Sequence, residues 1–68
     1  MIQHEKKFGV YHWDTFDNET ILVKDFDTLT EAQNYVSMQY KGRIVPHGAD
    51  QVDIVDDKGN VVRSYKVC

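Results

Sequence analysis

The hydrophobic positions change period twice along the chain, from 2 to 3.6 and back to 2, which predicts a hairpin, a helix and a second hairpin. In the first segment Phe8, Val10 and His12 alternate with Gly9, Tyr11 and Trp13, and the aromatic and β-branched content suits a strand. A second strand is expected over residues 20–26. Between them Asp17-Asn18 can accept the positive φ that a tight turn demands. The helix has a clear start in Thr28-Leu29-Thr30-Glu31, a hydroxyl and a carboxylate at capping-box spacing, and is expected over residues 29–41. Its stripe is Leu29, Ala32, Val36 and Tyr40, flanked by Tyr35 and Gln39. Asp27 and Glu31 near the start and Lys41 and Arg43 near the end complement the helix dipole, and Gly42 can take a left-handed cap. Residues 46–50 read as loop, 51–56 as a third strand, 57–60 as a turn and 61–67 as a fourth strand.

Face assignments follow from the alternation. A two- or four-residue turn in the second hairpin places Val52, Ile54, Val61, Tyr65 and Val67 on one face with Arg63 as the sole charge, and Asp53, Val55, Val62, Ser64 and Lys66 on the other. A three-residue turn would split the apolar set. In the first hairpin, a turn centred on Asp17-Asn18 places Phe8, Val10, Ile21 and Val23 on one face and Tyr11, Trp13, Leu22 and Phe26 on the other. Both faces of that hairpin are apolar. One helix covers one face of an antiparallel sheet, so the chain carries more apolar sheet surface than its helix can hide. The expected architecture is α+β, ββαββ, a four-stranded and mostly antiparallel sheet with one helix packed on one face and the strand order open.

Length sharpens this. At 68 residues the chain is one small domain, with residues 1–6 expected as a disordered tail. A domain of this size buries only about 60% of the surface its unfolded chain exposes, which raises the prior for self-association, a homodimer in the simplest case. No apolar run approaches the roughly 18 residues of a membrane span, and Met1-Ile2-Gln3-His4-Glu5-Lys6-Lys7 lacks the apolar stretch of a signal peptide, so a cytoplasmic location is expected. Cys68 is the sole cysteine, which excludes an internal disulfide and a CxxC redox site; its end position suggests a frayed, idle thiol.

Eight Lys and Arg against eleven Asp and Glu give a net charge of −3, the wrong sign for neutralising a phosphate backbone. Nucleic acid is therefore a disfavoured partner. A single-strand binder that stacks bases on the sheet aromatics, with Lys24, Arg63 and Lys66 supplying cations, is the rival reading, but Asp14, Asp17 and Glu19 crowd the same hairpin.

Catalytic and metal chemistry find little support. His12 and Asp14 share a strand face as two ligands would, but a third ligand must come from His47 or His4 at no recognised spacing. A half-exposed strand histidine beside a hairpin carboxylate is the ordinary outcome. Asp53, Asp56, Asp57 and Gly59-Asn60 lack the alternating oxygens and closing Glu of a calcium loop and read as turn chemistry. Ser37 and Ser64 have no nucleophile motif, and the four glycines stand singly. A small metal-dependent or acid/base enzyme using His12, Asp14 or His47 is the least favoured class. The expectation is no enzyme activity, no cofactor and no metal, but a protein-interaction or regulatory module that contacts a protein partner or itself through Tyr11, Trp13 and Leu22. No motif is specific enough to name a family.

Overall fold

Strand alternation commits one side of each strand to a cover, and here that cover is an eleven-residue helix packed on three strands of a four-stranded sheet. A computed structural model describes residues 4–68 and has the expected ββαββ order: β1 (Phe8–Asp14), β2 (Glu19–Phe26), α1 (Leu29–Gln39), β3 (Asp50–Val55) and β4 (Val61–Val67). The sheet order is β2-β1-β3-β4 and every neighbouring pair is antiparallel. The hairpins therefore lie side by side with β1 and β3 in the middle. Since β2 and β3 both run against β1, they point the same way, and α1 is the crossover that such a pair needs.

The helix starts where the sequence signals it. Thr28 is the N-cap: its hydroxyl accepts from the Glu31 amide at 3.2 Å and donates to the Glu31 carboxylate at 3.0 Å. It ends two residues short of the expected boundary, with Tyr40 as the C-cap, and no basic residue lies in its last turn. Lys41 and Arg43 thus fall beyond the helix; the Arg43 guanidinium lies 5.2 Å from the Tyr40 ring centroid instead. Gly42 does adopt the left-handed conformation, at φ 77°. The stripe packs as anticipated: Ala32, Val36 and Tyr40 meet Val10, Val52, Ile54 and Val67, with Leu29 and Tyr35 at the margin. Each fully buried aliphatic side chain here contributes roughly 1.5–3 kcal/mol.

Two bulges correct the expected faces. In β2 the register shifts between the Val10–Lys24 and Tyr11–Leu22 pairs, leaving Val23 as the extra residue, so Phe26 pairs with Phe8 and packs on the helix side rather than beside Trp13. In the second hairpin Asp56 and Asn60 close a three-residue turn with Gly59 at φ 86°. Uncorrected, that turn would split the apolar set. The register shift between Ile54 and Val55 leaves Val62 unpaired in β4 and restores Val52, Ile54, Tyr65 and Val67 to one face. The residue that changes sides is Val61, which pairs with Val55 on the helix-free face and is 56% exposed, while Val62 turns toward the core.

The chain beyond the helix closes part of the β4 margin. Ile44 bridges Val67, the Val45 amide donates to the Lys66 carbonyl at 3.0 Å, and the Cys68 amide donates to the Arg43 carbonyl at 2.9 Å. The Cys68 backbone is therefore held, not frayed, although its side chain is exposed. The segment reaches β4 because Gly48 lies against the Val67 backbone with no room for a Cβ. Gly48→Ala is expected to cost about 1–3 kcal/mol through this clash with main chain. Urea denaturation checks it, and wild-type stability in the variant would contradict the close approach.

Candidate interaction face

On β1 successive side chains point to opposite faces, so Val10 and His12 go under the helix while Gly9, Tyr11 and Trp13 go to the bare side. Pairing extends the bare side outward: Leu22 lies opposite Tyr11 and Thr20 opposite Trp13 on β2, while Asp53 lies opposite Tyr11 and Gln51 opposite Trp13 on β3. The three residues expected to contact a partner, Tyr11, Trp13 and Leu22, are thus on one face, the one without a helix. Their exposure differs. Trp13 is 39% exposed, Leu22 half-buried and Tyr11 only 5% exposed.

Tyr11 is covered by a residue that alternation could not assign. The His4 ring meets the Tyr11 ring edge-on at 5.8 Å, with its Nδ1 3.0 Å from the phenol oxygen. Burial pushes the Tyr11 phenol above its ordinary pKa. The one available signal was Gly9, since a glycine inside a strand often marks close approach by other chain atoms. Beside Tyr11 a shallow groove of ≈ 360 Å³ runs over Thr20, Asp53, Val55, Gly59 and Val61. Val61 joins it only because of the β4 bulge.

Two opposite charges on this face are linked through a neutral amide. The Lys66 ammonium donates to Gln51 Oε1 at 3.2 Å, and Gln51 Nε2 donates to Asp53 Oδ1 at 2.9 Å, forming a polar strip beside Trp13. The cations named for nucleic-acid binding do not converge here. Lys24 lies 5.6 Å from the Phe26 ring and 5.9 Å from the Tyr35 ring on the helix side, and Arg63 pairs with core residue Ile54. Phe16, in the β1–β2 turn, is 95% exposed.

The other polar cluster lies on the helix side. His12 Nδ1 is 2.8 Å from the Tyr40 hydroxyl and Nε2 is 3.1 Å from Asp50 Oδ2. With Nε2 protonated, Tyr40 donates to Nδ1, and the ring ties the C-cap of α1 to β1 and β3. Asp50 Oδ1 accepts from the Thr15 amide at 3.2 Å and from its hydroxyl at 2.9 Å, fixing the first turn as well. Both imidazole nitrogens are engaged, and His4 lies on the opposite face from His12, while His47 is exposed on its loop. Asp14 caps its own turn by accepting from the Phe16 amide at 2.9 Å. Among the described residues no three His, Cys, Asp or Glu side chains converge as a metal set. Asp56, weighed as a calcium ligand, instead accepts the Lys58 amide at 2.9 Å and the Asn60 amide at 2.8 Å.

Comparison of the chain with protein-family models, with curated proteins and with solved structures returned no match.

The His12 hydrogen bond, then the Thr15 amide and hydroxyl, hold the Asp50 carboxyl below its ordinary pKa. A native pKa below the unfolded one means that the stabilisation is complete above the unfolded carboxylate value and is lost as pH falls through the native one. Asp50→Asn is therefore expected to flatten the fall of stability with acid relative to wild type. Urea midpoints from about pH 6 to about pH 2 measure it, and identical slopes would contradict the network.

Proposed function

We propose that the chain is a non-enzymatic protein-interaction module that pairs with a second copy of itself through the helix-free sheet face around Trp13 and Leu22. The observation that carries the reading is the indole of Trp13, 39% exposed on the face that the helix leaves bare. Interface centres favour Trp with little net charge around it, and the exposed groove residue Val61 extends the apolar area. A two-fold pairing suits the polar strip too. Lys66 and Asp53 on one patch give opposite charges that a two-fold axis can set against each other. Against catalysis, the His12–Asp50 pair is spent on structural bonds, and the groove holds Asp53 as its one carboxylate. A lone exposed thiol suits a reducing compartment, and we place the module in the cytoplasm.

Sedimentation equilibrium from micromolar to millimolar concentration tests the pairing. The wild type is expected to rise from the 7.9 kDa monomer mass toward twice that value. Trp13→Ala is expected to weaken the association at least about tenfold, as truncation of a central aromatic anchor does. A wild type that stays at the monomer mass throughout would refute self-pairing of the native chain.

A further inference from the structure

The described chain before β1 does not leave the sheet but folds back over it, onto the face assigned above to self-pairing. Two fastenings hold it. The Asp25 carboxylate, level with Gly9 on β2, accepts the Glu5 amide at 3.0 Å and the Lys6 amide at 3.1 Å on one oxygen. Those two bonds lower the Asp25 pKa. The second fastening is the seat of His4, whose imidazole covers Gly9 and meets the Tyr11 hydroxyl; its Nε2 lies 3.4 Å from the Lys7 carbonyl, which braces the turn into β1.

Gly9 makes the seat. A Cβ there would come within 2.6 Å of His4 Cγ and Nδ1, and among the described residues no other neighbour is as near. Gly9 has no positive φ, so the glycine supplies room and not an unusual backbone conformation. Its register partner on β3 is Val55, a wall of the groove. The covered ground therefore adjoins the exposed ground: Gly9 and Tyr11 lie under the strap, Trp13 beyond it along β1, and Val61 to its side on β4.

We propose that residues 4–7 act as a removable strap that masks the Gly9–Tyr11 half of the sheet face and thereby restrains pairing with a second copy. This rests on the reading of that face as a self-docking surface. With the strap seated, a second copy reaches Trp13, Leu22 and Val61 but not the Tyr11 ring. With it released, the apolar area runs unbroken from Gly9 to Trp13. A face that is competent for a fraction of the time binds with an apparent affinity reduced by that fraction.

Two variants of the full chain unfasten the strap from different ends. Gly9→Ala fills the seat of His4, and Asp25→Ala removes the acceptor of the Glu5 and Lys6 amides from the sheet margin, which guards against a folding defect in the first. Proton NMR on dilute protein reads the strap through nuclear Overhauser contacts between the His4 and Tyr11 rings, and sedimentation equilibrium reads the association. The wild type is expected to show the ring contacts. Both variants are expected to lose them, to keep the sheet amide pattern and to associate about tenfold more tightly, the gain for a face otherwise free about a tenth of the time. Ring contacts absent in the wild type would overturn the strap, as would their loss with no tightening. That second result leaves self-pairing intact. Monomers at every concentration in wild type and both variants would instead overturn self-pairing and its restraint together.

Discussion

One helix has to serve a sheet with two sides, and the rest of the molecule follows from that shortage. The helix side holds the core: Val10, Val52, Ile54 and Val67 pack with Ala32, Val36 and Tyr40, all of them buried. The other side is finished by smaller means. A backbone strap holds His4 over Gly9 and Tyr11, a strip of Lys66, Gln51 and Asp53 supplies polar cover, and Trp13 with Val61 is left in contact with water. A core of this size rarely supplies more than about 3–5 kcal/mol of net stability, and the part of Trp13 left in water adds nothing to it.

The polar bonds beneath the helix have a different logic. His12 replaces what alternation would make an apolar core position, and its ring joins three elements through Tyr40 and Asp50 while Asp50 also orders Thr15. A hydrophobic side chain there would pack but would not fix where the helix stops. The network gives the last turn a defined seat, consistent with helix termination at Tyr40 although Lys41 could continue it. The phenol at one end of this chain of bonds is buried as the cap of the helix, and the carboxylate at the other end holds the first turn.

Much of the fold was legible because the period of the hydrophobic pattern is a local property. The capping box at Thr28, the stripe from Leu29 to Tyr40 and the placement of Tyr11, Trp13 and Leu22 on one face all came from spacing within a few residues. Face assignment failed where one residue was inserted into a strand. Val23 and Val62 look like ordinary strand valines, and nothing local marks them as bulged, yet each reverses the faces beyond it and moves Phe26 and Val61 to the opposite sides. Strand order and the His4 strap were also out of reach. The strap depends on Asp25 accepting amides about a third of the chain away, a contact with no periodic signature.

The margins of the sheet bear on what kind of assembly this molecule can build. Along β4 the pairing of Ile44 and Val45 occupies the end near Val67, and the unpaired Val62 twists the other end, so only a short run of free amides and carbonyls lies between. Such a margin offers a poor template for an incoming strand. Growth from one rim to the next needs two open rims per molecule, and here one of them is partly closed. Strand addition at this rim is therefore disfavoured, whereas contact through the flat of the sheet is not subject to the same block.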